Sequence, residues 1–164
     1  MAATMRSTMQ TGALTTTVLL RHGMQVHRRS QVLGYDGLKV RATSFAEVGE
    51  RCVALAAGLR RLGVGPGDIV ATLMWNTPEH LECYLAVPSM GAALHTANLR
   101  LPAADLAETL SRSGARVLLF HTSISGLVSE LEGRLPGVEH IVAVDDCVGD
   151  GPLWSGLEYE ALLA

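Results

Sequence analysis

The stretch "MWNTPEHLECYLAVPSMGAALHTANLRL", Met74 to Leu101, sets Asn76, Glu79, His80 and His95 in mainly apolar surroundings. A carboxylate close to an imidazole can move protons, and an amide nearby can orient a substrate. The spacing speaks for another use. Asn76 and Thr77 stand where an apolar strand hands over to a helix, and both are good capping types. Glu79, in the first turn, complements the helix dipole. His80 follows Glu79 directly, and adjacent helix residues do not face each other. His95 falls inside the next strand, where a hydrogen-bonded core histidine is expected. Caps and turns are favoured over a catalytic cluster.

The remaining reactive residues make no stronger constellation. Cys52, Cys83 and Cys147 contain no CxxC pair, and they read as reduced thiols of a cytoplasmic protein. Cys83 lies three residues after His80, within reach of one helical face. Two ligands without a second pair make a poor zinc site, so no metal is expected. Ser89 sits late in a helix, not on a strained strand-to-helix elbow. Asp145-Asp146, at a strand exit, could meet a metal or a ribose by position, but such a pair is more often a solvated strand exit. Neither GxxxxGK[ST] nor a GxGxxG between strand and helix occurs. "GVGPGD" lies between a helix and a strand, the wrong side for phosphate to meet a helix N-terminus. Twelve of the thirteen basic residues are arginine, so any step needing a lysine has only Lys39.

These residues must be held by a regular frame. "VLGYDGLKVRA" predicts a β-hairpin turning at Asp36-Gly37. Ser44 with Glu47 makes a capping box, and the helix behind it carries Val48, Cys52, Leu55, Leu59 and Leu62 on one stripe. Gly63 suits the left-handed cap, and Pro66 cannot continue the helix. Then come "DIVATLMW", "AALHTANL", "ARVLLFH" and "EHIVAVDD" as four strands, with helices beginning at Thr77-Pro78, near Pro102 and near Ser123. The third of these helices is expected to run to Pro136-Gly137. Continuous apolar strands separated by helices predict an α/β fold with a doubly wound, mainly parallel sheet and helices on both faces. A helix around Leu14–Gly23, the hairpin and the capping-box helix precede it. Three parts follow: 1–43, helix and hairpin; 44–146, the α/β unit; 147–164, a partial continuation read as loop and short helix.

Composition excludes several classes. With 48 % apolar residues the chain is no disordered polypeptide, and the charge of −3 leaves no cationic stripe for nucleic acid. Tyr35, Trp75, Tyr84 and Trp154 are too scattered to act as a base-stacking platform. No apolar run is long enough to span a bilayer. The first acidic residue is Asp36, after Arg6, Arg21, Arg28 and Arg29, which imitates a transit peptide; a mature N-terminal helix is the rival reading.

"TSFAEV", "LGVGPGDIVATLMWN" and "WNTPEHLECYLAVPSMGAALHTANLRL" together resemble the N-terminal part of AMP-forming acyl-CoA synthetases, in the version of bacterial fatty-acyl-CoA synthetases. These enzymes share the adenylate-forming superfamily with luciferases and peptide-synthetase adenylation domains. "TMQTGALTTTVLLRHGMQVH" is similar to the start of that subgroup, which favours the mature helix over a transit peptide. The resemblance implies a two-step reaction: ATP with Mg²⁺ activates a fatty acid as acyl-adenylate, and coenzyme A displaces AMP. It also implies which parts are missing here: the Ser/Thr/Gly-rich phosphate loop with its lysine, the later aromatic-Gly-x-Thr-Glu segment, the ribose-binding aspartate and the C-terminal lid lysine. Lys39 matches none of these, and His121 replaces an acidic residue common after the third strand. No catalytic, cofactor-binding or metal residue is therefore assigned, and ATP, Mg²⁺ and CoA are implied for the complete enzyme only.

The expected protein is an N-terminal subdomain or truncated form of a fatty-acid–CoA ligase, inactive alone. Its partner would be the remainder of the synthetase, or a second copy through an uncovered sheet edge. The alternative is a stand-alone flavodoxin-like binding or regulatory module. An independent hydrolase or metalloenzyme would need a constellation that these residues do not form.

Overall fold

The structure, a computed structural model, describes residues 12–35, 39–145 and 156–164. The chain opens with α1 (Thr16–Val26), followed by the antiparallel strands β1 (Gln31–Tyr35) and β2 (Val40–Ser44), in register from Gln31↔Ser44 to Tyr35↔Val40. Their turn, with Asp36 and Gly37, lies outside the described residues. Ser44 starts α2 (Phe45–Arg61) with the expected box: its Oγ accepts the Glu47 N–H at 3.2 Å, and Glu47 Oε2 accepts the Ser44 N–H at 2.8 Å. Gly63, at φ 83°, closes the helix, and the Gly63 and Val64 amides donate to the Arg60 and Leu59 carbonyls. That pairing satisfies two of the last-turn acceptors.

The sheet follows: β3 (Ile69–Leu73), α3 (Pro78–Ser89), β4 (Ala93–Thr96), α4 (Ala103–Ser113), β5 (Val117–His121), a 3-10 turn over Thr122–Ile124, α5 (Ser125–Glu130), β6 (His140–Val144), β7 (Leu157–Glu158) and α6 (Tyr159–Leu163). Its order is β4-β3-β5-β6-β7, parallel throughout. All five residues of β5 are buried, as a central strand covered on both faces requires. Side chains alternate between two cores. Val117 and Leu119 pack with Val48, Leu55, Leu59, Val87 and Leu162. Leu118 and Phe120 pack with Leu106, Leu110, Val128 and Leu131. The doubly wound layer is thus as the apolar runs required. No helix among the described residues is long and apolar enough to cross a membrane.

Two details differ from the sequence reading. The third crossover helix ends at Glu130 rather than at Pro136-Gly137, because the chain turns through Gly133 at φ 72°. The carboxyl end, read as loop and helix, adds a fifth strand: Leu157 and Glu158 pair with Val142 and Ala143 of β6. Those two residues cover part of the β6 edge that four strands would have left open.

Candidate functional site

From β3 the chain goes out to β4 and then crosses to the other side of β3, to β5. The strand order therefore reverses between β3 and β5, and ligands of open α/β sheets bind outside the carboxyl ends of the strands at such a point. The loops arriving there are 74–77, after β3, and the 3-10 turn after β5.

Thr77 caps α3: its hydroxyl accepts the His80 N–H at 3.3 Å, with Pro78 at the first helical position. This turns the His80 ring back toward β3. His80 Nδ1 lies 3.0 Å from the Trp75 carbonyl, which can only accept, so Nδ1 carries the hydrogen. His80 Nε2 then accepts the Thr72 hydroxyl at 3.0 Å. The ring is buried, and burial lowers its pKa while the Trp75 carbonyl opposes the shift. His80 is a neutral brace between β3, its following loop and α3.

A second run of hydrogen bonds joins the two loops. The Trp75 indole N–H donates to Ser123 Oγ at 3.0 Å, and Ser123 Oγ lies 2.7 Å from His121 Nδ1. His121 Nδ1 also accepts the Ser123 backbone N–H at 3.2 Å, so the imidazole caps the 3-10 turn. Thr122 Oγ1 reaches Asp145 Oδ1 at 3.4 Å, bringing in the end of β6. Asn76 is exposed and lines two hollows. One, of about 280 Å³, lies between β1 and the start of α3, beside the Val32, His80 and Tyr84 side chains. The other, of about 220 Å³, lies over β4's exit, beside Trp75, Asn98 and Arg100.

The four polar residues of the opening stretch are thus separated. Glu79 points to the hairpin, where its Oε1 pairs with the Arg41 guanidinium; its Oε2 is buried with no hydrogen-bond partner among the described residues. His80 braces β3, Asn76 faces solvent and His95 lies on the edge strand β4. No Glu79–His80 pair forms, in keeping with the adjacency argument. The expectation for His95 is corrected: the ring is only half-buried, and its Nδ1 is buried without a hydrogen-bond partner among the described residues. An edge strand offers one neighbour instead of two, which removes the partner expected in a core. Cys83 is sunk in the core and takes no part in the His80 network. Cys52 is held as a neutral thiol, pushed up to about 12 by burial, and lies 3.6 Å from the Glu82 carbonyl. Cys147 and Asp146 lie outside the described residues. Among the described residues no three His, Cys, Asp or Glu side chains converge as metal ligands.

Sequence reasoning missed Thr72, Ser123 and the hydrogen-bonding role of Trp75. The Trp75–Ser123 contact joins residues 48 positions apart, and nothing in either segment advertises the other.

Among the described residues, the N-termini of α3 and α4 offer little to a nucleotide phosphate. Pro78 removes an N–H from the α3 terminus, and Glu79 puts a carboxylate in its first turn. The α4 terminus has Pro102 as its cap and Asp105 in the first turn. Lys39 stands in the hairpin, just before β2, and not in either loop. What the site does chemically is brace loops at a strand switch point.

Comparison with known proteins agrees with that frame. The family model described as "AMP-binding enzyme" matches residues 21–160. A long-chain-fatty-acid–CoA ligase of Thermus thermophilus is 47 % identical over 115 residues, covering 70 % of this chain and 21 % of that protein. A 3-methylmercaptopropionyl-CoA ligase of Ruegeria lacuscaerulensis is 31 % identical over 136 residues, 82 % of this chain and 25 % of that one. The chain thus spans about a quarter of the length of the curated relatives it matches. Among solved structures, the acetoacetyl-CoA synthetase of Streptomyces lividans superposes on 92 % of this chain with a TM-score of 0.79 at 23 % identity, covering 25 % of its own length. An anthranilate–CoA ligase bound to anthranoyl-AMP superposes on 91 %, with a TM-score of 0.77 at 22 % identity, and 27 % of that chain is covered. These two show the fold; the family match and the identity to the two ligases show the kinship. The chain belongs to the AMP-binding enzyme family, and corresponds to an N-terminal part of its CoA ligases.

Proposed function

We propose that this chain serves as the N-terminal subdomain of a fatty-acid–CoA ligase. The complete enzyme would join a fatty acid to coenzyme A through an acyl-adenylate, using ATP and Mg²⁺. The observation that carries this reading is the 47 % identity to the Thermus ligase over 115 residues, a level at which both fold and local packing are shared. Within that enzyme the braced loops would form one wall of the substrate cleft. The chemistry would come from the three-quarters of the ligase to which this chain has no counterpart. By itself the chain is expected to be inactive, with no catalytic, cofactor or metal residue of its own. The partner would be the rest of the ligase, and the free, buried thiols of Cys52 and Cys83 suit a reducing cytoplasm.

The test is fatty-acid-dependent exchange of labelled pyrophosphate into ATP by the purified chain. No exchange above the enzyme-free blank is expected. Exchange that saturates with ATP would overturn the assignment of all chemistry to the missing part.

A stand-alone flavodoxin-like binding or regulatory module is the second reading. Saturable calorimetric binding of AMP or a fatty acid by the monomeric chain would support this reading over the first.

A further inference from the structure

α1 is fastened to the body by one side only. Leu20 and Gly23 are its buried residues, and a Cβ on Gly23 would stand 2.2 Å from the Phe45 ring, so the glycine sets how closely the helix lies on α2. Among the described residues the opposite side meets no protein. Val18, Leu19 and Val26 are 48 %, 57 % and 62 % exposed, and Leu14, just before the helix, is 83 % exposed. With 3.6 residues per turn, Val18, Leu19, His22 and Val26 share an outward arc of roughly 100°. Isolated exposed aliphatics are ordinary on a protein surface, but three along one short helix, with Leu14 just before it, form a stripe.

The charges around the stripe have one sign. Arg21 stands beside it on the helix, and Arg28 and Arg29 leave its end, around an open hollow of about 310 Å³. All three are exposed, and among the described residues none is in an ion pair. No acidic residue occurs before Asp36. A helix terminus alone would account for one neighbouring cation through its dipole. It does not account for an apolar stripe with arginines on its flank and at its end. That combination belongs to helices lying in the plane of a lipid surface, with the aliphatic side at the headgroup boundary and arginines on phosphates.

We propose that the outer face of α1, with the Arg28-Arg29 loop, docks on an anionic lipid surface. The inference does not depend on the ligase reading. The helix would lie flat, Val18, Leu19 and Val26 entering the boundary and Arg21, Arg28 and Arg29 meeting lipid phosphates. Attachment through this face would be reversible, since a helix lying at the boundary does not cross the bilayer.

The test is co-sedimentation of the 164-residue chain with vesicles of equal parts phosphatidylglycerol and phosphatidylcholine, against pure phosphatidylcholine. Binding to the anionic vesicles only is expected, weakening as salt rises. Each arginine at such a surface strengthens binding about fivefold, so Arg28→Gln with Arg29→Gln should weaken it about 25-fold. Val18→Ser with Leu19→Ser should also weaken it, while circular dichroism and melting stay those of the parent, because both side chains are exposed. Three results would overturn the proposal: no binding to anionic vesicles, equal binding to neutral ones, or binding that the serine variant retains, which would mark a site for free phosphate. Lipid-independent self-association abolished by the serine variant, without vesicle binding, would assign the face to a second copy instead.

Discussion

Leu118 and Phe120 of β5 look into an interior made of α4 and α5 aliphatics, whereas Val117 and Leu119, one residue along, look into an interior that also holds a carboxylate, a phenol and two thiols. On the first side the described side chains are packed by burial and shape. On the second, Glu82 of α3 is 1 % exposed and must be satisfied inside the protein. Arg51 Nε of α2 donates to Glu82 Oε1 at 2.7 Å, and the Tyr159 hydroxyl of α6 donates to Oε2 at 2.6 Å. The other arm of the Arg51 fork takes Glu160 at 3.0 and 2.6 Å, and its guanidinium lies 5.7 Å from the Tyr159 ring centre. Burial raises the Glu82 pKa against the lowering by Arg51 and Tyr159, while the Arg51 fork holds Glu160 below the usual carboxylate range. A buried ion pair of this kind adds little net stability, yet leaving one member unpaired is costly. The comparison teaches that one sheet face is held by volume and the other by a polar latch that fixes α2, α3 and α6 against one another.

Phe120→Ala should break the dry face hardest, removing a fully buried ring with no route for collapse in the central strand. A loss of about 3–5 kcal/mol is expected, read as a lowered denaturation midpoint with unchanged slope. Tyr159→Phe should cost about 1–3 kcal/mol by leaving Glu82 short of a donor. Its signature is local: amide exchange in α6 should quicken more than in α4, whereas Phe120→Ala should quicken both.

The pH dependence sharpens the contrast at the strand ends. Burial holds the His80 pKa below that of the unfolded chain, about 6.5. Between the two values the unfolded chain binds more protons, so the His80 contribution to stability is lost as pH falls below about 6.5. Denaturation midpoints across that window should fall with acidity, and His80→Gln should flatten the fall. The smallest effect is expected of Trp75→Phe, which deletes the exposed indole bond to Ser123. It should cost about 0.5–1 kcal/mol globally and show mainly as faster exchange at Ser123.

The parts of this molecule that were readable were those whose cause is local. Ser44 and Glu47 are three residues apart, Thr77 caps the turn that it opens, Gly63 adopts the left-handed conformation that its position after Leu62 demanded, and the central strand β5 is an apolar run from Val117 to Phe120. Where the cause is distant, the sequence was silent. β7 is two residues paired with β6, and the Glu82–Tyr159 bond spans 77 positions. The site divided in the same way: caps followed from residue type, while the Thr72–His80 and Trp75–Ser123 braces depend on which strands lie side by side. His95 was misjudged because burial at a sheet edge depends on strand order, which periodicity does not encode.

As proposed, this segment would be a ligase scaffold that brings the fold and leaves the chemistry to the rest. The direct measurement is thioester formation by a chimera in which this chain replaces the matching 115-residue segment of the Thermus long-chain-fatty-acid–CoA ligase. The chimera should melt cooperatively and still form acyl-CoA in dependence on fatty acid, ATP and coenzyme A. A chimera that folds and melts like the parent ligase yet forms no acyl-adenylate would contradict that role.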